Sequence, residues 1–256
     1  ESFSGYLNGS FDVSESVTVT AGVRTTKDDK NSNIRRYLYN TSNSFPYTKT
    51  QGSGFTFGNP ADDVLLAINT DITDDEASDS WNELSPSAKI DWKITEDMMI
   101  YLSYAEGFKS GGFDMRGNAG LNPNVSDGYD PETVSTWEAG FKSQLFNDRL
   151  RLNVTVFDMD YEDMQLTVQT AQPAPIFFSS DVVNAGTAEI TGVEIEALAQ
   201  LTENFSSNLV VGHMNAELTE VISGGVDVSD SWEMLNAPDW AGQIGFSYET
   251  DLGGYG

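Results

Sequence analysis

The stretch SAKIDWKITEDMMIYLSYAEGFKSGG, residues Ser87–Gly112, contains the pattern that decides the fold. Apolar and polar side chains alternate through residues 87–94, with Ala88, Ile90, Trp92 and Ile94 on one parity and Ser87, Lys89, Asp91 and Lys93 on the other. Such alternation predicts a β-strand whose two faces meet different solvents. A short connection, Thr95–Asp97, then leads into a second strand near residues 98–108. The stretch therefore predicts two strands joined by a tight turn.

The tail of this stretch, YAEGFKSGGFDMRG (Tyr104–Gly117), is rich in glycine, as are loops that cradle phosphate. Those loops require the spacing G-x-x-x-x-G-K-[ST] or G-x-G-x-x-G beside a helix. Here Lys109 and Ser110 precede Gly111 and Gly112, and no helical pattern follows. The spacing excludes a phosphate loop, and the glycines instead allow the backbone to bend at the end of a strand.

The same alternation recurs along the chain and predicts about nine strands. The clearest further cases are Phe3–Phe11, Val17–Thr25, Trp137–Phe141 and Trp240–Tyr248. The predicted strands lie near residues 1–11, 16–27, 83–94, 98–108, 131–146, 149–166, 181–201, 205–217 and 235–251.

One predicted strand changes parity. Within Arg149–Tyr161 the apolar residues leave one parity after Val156 and continue on the other with Phe157. A β-bulge near Val156 would produce this change, and so would a cluster of inward-facing aromatic residues. The sequence leaves both explanations open.

The connections between strands alternate between short and long. The short ones are Asp12–Glu15, Thr95–Asp97, Asn147–Asp148 and Thr202–Asn204, and the long ones are roughly Asp28–Trp81, Phe108–Pro131, Leu166–Ser180 and Glu217–Met234. In an antiparallel meander every second connection lies at the same end, so the turns gather at one end and the loops at the other. This asymmetry is typical of an outer-membrane β-barrel. A soluble β-sandwich is the alternative, although long loops confined to one side are rare in compact domains.

The composition narrows the function. The chain has 13 Lys and Arg against 40 Asp and Glu, a net charge of −27, and no Lys or Arg follows Arg151. Because nucleic-acid binding requires a basic surface, we expect no nucleic-acid partner. The absence of cysteine excludes disulfides, Cys-ligated zinc and a Cys nucleophile. The only histidine, His213, has no second catalytic signal beside it, so the sequence predicts no enzyme.

The long loops hold candidate ligand-binding residues. Aromatic side chains with a few cations suit ferric siderophores and other small polar ligands. The candidates are Tyr37, Tyr39, Tyr47, Trp81, Phe108, Phe113 and Arg116. Packing of the loops on themselves explains the same residues, and Tyr104–Phe113 can equally be a rim turn without ligand contact.

An acidic segment, DITDDEASDS (Asp71–Ser80), is a candidate calcium site. Carboxylate oxygens are the ligands that Ca²⁺ prefers. The candidate ligands are Asp71, Asp74, Asp75, Glu76 and Asp79. The spacing differs from that of an EF-hand, and a solvated acidic loop without metal is the alternative.

Five segments, in order along the chain, resemble strands of the TonB-dependent outer-membrane receptors. They are VTVTAGVRTTKDDK (Val17–Lys30), LSPSAKIDWKITEDMMIYLSYAEGFKSGGF (Leu84–Phe113), YDPETVSTWEAGFKSQLFNDRLRLNVTVFDMDYEDMQ (Tyr129–Gln165), VVNAGTAEITGVEIEA (Val182–Ala197) and LNAPDWAGQIGFSY (Leu235–Tyr248). The resemblance implies a bacterial outer-membrane receptor that imports a scarce nutrient, most often a ferric siderophore, with energy from the TonB complex. Haem, cobalamin and glycans remain open as ligands.

The resemblance also implies parts that these residues do not match. The family has a plug domain inside a 22-stranded barrel and a segment before the plug that contacts TonB. We therefore expect residues 1–256 to be the middle part of such a barrel, in contact with lipid and with the rest of the receptor. Two alternatives remain at this stage: a passive porin or structural barrel, and a soluble, Ca²⁺-dependent extracellular β-domain.

Overall fold

The computed structural model describes residues 1–34, 75–114, 127–171 and 178–250 as a single antiparallel sheet. Its strands are β1 (Ser2–Asp12), β2 (Val17–Ile34), β3 (Asp75–Lys93), β4 (Met98–Lys109), β5 (Glu132–Leu145), β6 (Leu150–Ala171), β7 (Phe178–Thr202), β8 (Phe205–Ser223), β9 (Val226–Asp227) and β10 (Trp240–Tyr248). A short 3-10 helix occupies Ser229–Ser231. Among the described residues, no helix has the length and hydrophobicity needed to cross a membrane.

The strands pair in chain order, which confirms the predicted meander. The order is β1-β2-β3-β4-β5-β6-β7-β8-β10, and the two-residue β9 folds back on β8. Every pairing is antiparallel. The predicted all-β fold class is therefore confirmed, and the sheet is open between β1 and β10 in the part of the chain that the structure describes.

One face of the sheet carries a continuous apolar band. The cross-strand register places on it Ile90, Trp92, Ile100, Leu102, Ala139, Phe141, Val154, Val156, Val193, Ile195, Leu209, Val211 and Ile244. Aromatic pairs border the band toward the loops, Tyr104 with Trp137 and His213 with Trp240, at ring-centroid distances of 4.8 and 4.4 Å. At this border Asp158 lies directly opposite Trp137, and in the next row the same face turns acidic with Glu106, Asp160 and Glu189. A band with these limits is typical of a lipid-facing barrel surface.

The other face is polar through the height of the band. It presents Lys89, Asp91, Tyr101, Glu138, Thr155, Glu194, Glu196 and Gln243. In β10, Trp240, Ile244, Phe246 and Tyr248 share the apolar face, as the alternation predicts. We call these two sides the apolar face and the polar face.

The strands run further toward the loops than the sequence predicts. β2 continues to Ile34 and β3 begins at Asp75, although residues 28–81 were expected to form a loop. β6, β7 and β8 are extended in the same direction. The reason is that beyond the apolar band both faces are polar, so the hydrophobic alternation that predicts a strand disappears while the backbone ladder continues.

The predicted bulge lies elsewhere. The register between β6 and β7 runs without a break from Leu150 to Tyr161, so a bulge near Val156 was wrong. The irregularity falls between Tyr161 and Gln165, where Asp163 has a positive φ of 53°. The change of parity after Val156 therefore reflects inward-facing apolar side chains: Phe157 lies on the polar face, opposite Glu138 and Gly192.

The last strand is shorter than predicted, because it begins at Trp240 rather than near residue 235. The residues before it are not extended: Asn236 has a φ of 60°. The hairpin between β8 and β9 was not predicted at all. Gly224 and Gly225 form its turn with φ of 61° and 81°, values that glycine adopts without strain.

Candidate functional site

A closely packed region lies at the loop end of the sheet, where Trp81 of β3 is only 7% exposed. Its indole Nε1 donates a hydrogen bond to Oδ1 of Asp130 over 3.3 Å. The Nζ atom of Lys30 lies 5.6 Å from the centre of the indole ring, and the ring of Phe113 packs against it at 6.1 Å. We call this region the rim cluster: Trp81 with the chain segments Lys109–Asp114 and Tyr129–Asp130.

The glycines of Tyr104–Gly117 have a steric role in the rim cluster. A Cβ atom on Gly111 would lie 2.5 Å from Cε2 of Trp81 and 2.5 Å from the carbonyl oxygen of Tyr129, which is closer than packed atoms tolerate. Gly112 exchanges two backbone hydrogen bonds with Tyr129, of 2.9 and 2.8 Å. The pair therefore lets the segment after β4 lie flat against the indole of Trp81.

The bulge in β6 directs a glutamine at this segment. Nε2 of Gln165 lies within hydrogen-bond distance of three carbonyl oxygens, those of Lys109 at 3.2 Å and of Ser110 and Asp130 at 3.1 Å. The backbone N–H of Gln165 donates to Glu132 over 2.8 Å. A bulge often re-aims a side chain in this way. Here it fastens β6 to the ends of β4 and β5.

A second amide completes the attachment. Nδ2 of Asn184 donates to the carbonyl oxygens of Asp130 and Asp163, each over 2.8 Å. Its Oδ1 accepts the backbone N–H of Asp130 at 2.7 Å. Further along, Asp114 accepts the backbone N–H of Val182 at 2.8 Å. Side chains from β6 and β7 thus supply partners that the sheet ladder does not.

A buried carboxylate lies beneath the cluster. Asp28 of β2 is 9% exposed. Hydrogen bonds from the side chains of Ser2 and Ser110 lower its pKa, and the nearby charge of Lys30 acts in the same direction. The carboxylate therefore stays ionised and accepts bonds from both serines.

A cavity of about 590 Å³ opens beside the cluster. Its lining includes Lys30, Phe113 and Tyr129, together with Asn31, Asn33 and two acidic residues, Glu1 and Asp29. Two aromatic rings and one cation in a concave polar setting can hold a small polar ligand. Phe113 was a candidate from the sequence, but Lys30 and Tyr129 were not, because nothing distinguishes them from the other residues of the predicted loops.

The remaining aromatic candidates fall in different places. Trp81 and Phe113 meet in the rim cluster, and Trp81 has little surface left for a ligand. Phe108 lies on the apolar face, in register with Thr133 and on the same parity as Tyr104, so it extends the aromatic border. Tyr37, Tyr39, Tyr47 and Arg116 lie outside the described residues.

The acidic segment is only partly described. Asp71 and Asp74 lie outside the described residues, and Asp75 is the first residue of β3 rather than part of a loop. Glu76 pairs with Asn33 and Asp79 pairs with Lys30, three residues apart on one strand, so their side chains point to opposite faces. Within the described residues no three acidic or histidine side chains form a group that could hold a metal ion. The calcium site stays a prediction.

His213 packs between two neighbouring strands. Its ring stacks on Trp240 with an interplanar angle of 19°, and Nδ1 lies 2.7 Å from the carbonyl oxygen of Asp239. The side chain therefore joins β8 to β10 at the loop-side border of the apolar face.

The family model described as "TonB dependent receptor-like, beta-barrel" matches the chain over residues 1–256. The match covers the strands, the rim cluster and the open edges of the sheet together. It favours a receptor barrel over the porin and the soluble β-domain that the sequence left open.

Solved structures share the fold. The ferric yersiniabactin uptake receptor FyuA from Yersinia pestis aligns with a TM-score of 0.68 at 17% identity, over 98% of this chain and 31% of that receptor. The siderophore receptor PiuA from Acinetobacter baumannii aligns with a TM-score of 0.62 at 19% identity, over 96% of this chain and 31% of PiuA.

A curated relative is similar in sequence. The metal-pseudopaline receptor CntO of Pseudomonas aeruginosa (strain UCBPP-PA14) is 24% identical over 182 residues, which is 71% of this chain and 23% of that receptor. The chain therefore spans about a quarter of the length of this relative.

Proposed function

The chain belongs to the TonB-dependent receptor β-barrels, and we propose that it forms part of the wall of an importer that binds a ferric siderophore outside the cell and admits it with TonB-derived energy. Receptors of this family are transport proteins of the bacterial outer membrane, so the chain is an outer-membrane barrel segment and not an enzyme. Residues 1–256 are proposed to be the middle part of the barrel.

The observation that carries this proposal is the division of one sheet into two zones. The apolar face ends at an aromatic border, and directly beyond it the strands continue into the rim cluster. A porin-like wall needs only the first zone. A wall that receives a ligand from outside also needs a firm surface above the membrane, which Gln165, Asn184 and Trp81 supply.

The ligand class is supported by the site and by the relatives. The cavity lined by Lys30, Phe113 and Tyr129 offers rings and a cation to a chelate that is polar and partly aromatic. FyuA and PiuA are named for siderophores, and CntO for a metal complex of pseudopaline. A metal chelate is therefore the ligand class that we propose for this chain.

The partners follow from the same proposal. Lipid would cover the apolar face, and other strands of the receptor would pair with the free edges of β1 and β10. The TonB complex would act through the segment that precedes the plug in this family. The small-molecule nutrient would enter from the rim.

The proposal is tested by ligand binding to the intact receptor and by uptake in cells. Hydroxamate, catecholate and phenolate ferric siderophores are titrated into the purified receptor, and uptake of radiolabelled iron is measured in strains with and without a functional TonB. We expect saturable binding of one chelate class and uptake that requires TonB.

Phe113 and Phe108 form a matched pair for this experiment. Phe113→Ala removes a ring from the cavity, and we expect the dissociation constant to rise about tenfold, or about 1.4 kcal/mol. Phe108→Ala removes the same ring from the apolar face and should change binding less than about twofold. Equal effects of the two substitutions would reject the cavity as the binding surface, and uptake that persists without TonB would reject the transport mechanism.

A further inference from the structure

Three cations gather on the polar face at the end of the sheet that carries the short turns. Lys93, Lys142 and Arg151 all line one cavity of about 390 Å³. The whole chain has 13 Lys and Arg and a net charge of −27. Three of those cations line this one cavity, beside two carboxylates, Glu96 and Asp97. We call this group the basic cavity.

The cross-strand register fixes the three cations on rigid strands. Lys93 of β3 is paired with Met99, and Met99 is paired with Lys142 of β5, so both lysines lie in one row across the sheet. Arg151 of β6 is one diagonal step from Lys142, because it pairs with Gln144. Diagonal neighbours have Cβ atoms about 7–8 Å apart, and strands two apart are separated by about 10 Å.

Within the part of the chain that the structure describes, these three cations form none of the ion pairs that several other cations form. The ion pairs found within the described ranges join Lys27 to Asp29, Lys89 to Asp91 and Lys109 to Glu132. None involves the three cations of the basic cavity. Glu96 and Asp97 also line the cavity, Asp91 lies two residues from Lys93 on the same face of β3, and Glu196 accepts a hydrogen bond from Asn153. None of these lies within 4.0 Å of the three cations.

Lys142 is further held by an aromatic ring. Its Nζ atom lies 5.2 Å from the ring centre of Tyr101, and Nζ of Lys89 lies 4.9 Å from the same centre. The hydroxyl of Tyr101 donates to Glu138 over 2.6 Å. Lys89 has its own counter-ion in Asp91 at 2.7 Å, whereas no ion pair of Lys142 is found among the described residues. Both lysines therefore lie on the polar face beside the ring of Tyr101, but, in the described part of the chain, Lys89 is neutralised by Asp91 and Lys142 is not.

We infer that the basic cavity binds an anionic group, a phosphate or a carboxylate. Like charges on neighbouring strands repel, and an anion between them turns this repulsion into attraction. The guanidinium of Arg151 can offer two parallel N–H donors to a planar or tetrahedral oxyanion, and each ammonium adds further donors. The polar face would line the interior of the barrel, so the anion would lie near its turn-side mouth.

The anion has two possible sources, which share this chemistry. One is a free anion in solution, and the other is a carboxylate from another part of the same receptor inside the barrel. The two differ in one respect: a carboxylate of the receptor is present in every molecule, whereas a free anion acts only when it is added.

Thermal unfolding of the intact receptor in detergent tests the inference. Inorganic phosphate at about 5 mM is compared with chloride at matched ionic strength, since a ligand of the native state raises the unfolding temperature. The triple variant Lys93→Gln, Lys142→Gln, Arg151→Gln is compared with the wild type. Lys89→Gln serves as the matched control, and Lys142→Arg keeps the charge.

A free anion is indicated if phosphate raises the unfolding temperature of the wild type, of Lys89→Gln and of Lys142→Arg, and if the triple variant loses at least half of that shift. An internal carboxylate is indicated if phosphate has no effect while the triple variant unfolds at a lower temperature than either control. Either result supports the inference. If the three cations merely repel one another, the triple variant should unfold at the same temperature as the wild type or at a higher one. That outcome, together with no effect of phosphate on the wild type, would overturn the inference.

Discussion

Two tryptophans of this chain show how differently its two zones are stabilised. Trp137, on the apolar face, is 51% exposed in the isolated sheet and touches Tyr104. Trp81, in the rim cluster, is 7% exposed and is enclosed by Gly111, Phe113 and Asp130. The first ring is placed for contact with a surrounding solvent that is itself apolar, and the second is packed as in the core of a water-soluble protein.

The two zones are stabilised by different interactions. In the apolar zone the backbone ladder satisfies the backbone N–H and C=O groups, and the side chains of the apolar face only need to match the lipid. Beyond the aromatic border the solvent is water, so the chain must bury apolar surface and satisfy backbone groups itself. The rim cluster does both with one indole and two side-chain amides.

The largest difference is expected when each ring is removed. Trp81→Ala should lower the stability of the rim cluster by about 3–5 kcal/mol, because it leaves a cavity among packed atoms. Trp137→Ala should cost about 0.5–1.5 kcal/mol, the value of its aromatic pair, since lipid can fill the space. Hydrogen exchange of the Gly112 and Tyr129 amides measures the first loss, and reversible unfolding in lipid vesicles measures the second. Similar costs for both variants would contradict the division into two zones.

The next effect distinguishes the two faces of β10. Ile244, on the apolar face, is 61% exposed, and Gln243 lies on the polar face. An arginine on the lipid face near the membrane midplane costs about 2–4 kcal/mol, so Ile244→Arg should destabilise the folded barrel by a large part of that amount. Gln243→Arg should cost much less, because water is its neighbour. Unfolding of both variants in vesicles is the measurement, and a larger cost for Gln243→Arg would mean that the faces are reversed.

A smaller effect is expected from a single added methyl group. Gly111→Ala would place a Cβ atom against Trp81, and overpacking of this kind costs about 1–3 kcal/mol. Gly107 provides the control, because a Cβ there meets only Val134 Cγ1 at 3.4 Å. Hydrogen exchange at Tyr129 should accelerate in Gly111→Ala and stay unchanged in Gly107→Ala. Unchanged exchange in both variants would show that the rim cluster is not closely packed.

The smallest effect is a dependence on pH. The pKa of Asp28 is lowered in the folded state by its bonds from Ser2 and Ser110. A lowered pKa contributes stability above the ordinary aspartate value of about 3.9, and this contribution is lost as the pH falls through the lower value of the folded state. As the pH falls below about 4, the stability of the rim cluster should therefore decrease more in the wild type than in Asp28→Asn. The difference should be about 1 kcal/mol, as for a typical hydrogen bond, and a parallel acid response of the two proteins would argue against it.

The zone in which one face of the sheet meets lipid and the other meets water was predictable from the sequence. The alternation in Ser87–Ile94 and Trp240–Tyr248 exists because one face meets lipid and the other water, and the strand order followed from the lengths of the connections. The same reasoning failed for residues 28–34 and 75–82, where polar side chains occupy both faces and apolar ones, such as Trp81, do not alternate. A strand of this kind leaves no periodic trace in the sequence.

The rim cluster was only half predictable. Gly111 and Gly112 were recognised as a bend, and Trp81 and Phe113 as aromatic candidates, but the contact between β3 and the segment after β4 has no local signal in the sequence. Gln165 and Asn184 were missed because their roles depend on a bulge at Asp163, where an ordinary aspartate takes a positive φ. The parity change after Val156 pointed to the wrong position, since apolar residues also line the polar face.

The central claim is that one face of this sheet meets lipid and the other lines the interior of the barrel. The chain has no cysteine, so single cysteines introduced at Val193, Glu194, Ile195, Glu196 and Ala197 of β7 can carry spin labels in the receptor embedded in vesicles. Collisions with oxygen, which dissolves in lipid, should be frequent at positions 193, 195 and 197. Collisions with a water-soluble nickel chelate should be frequent at 194 and 196. We expect oxygen access to be high at 193, 195 and 197 and nickel access to be high at 194 and 196. The reverse pattern, or equal access of both reagents at all five positions, would contradict the account.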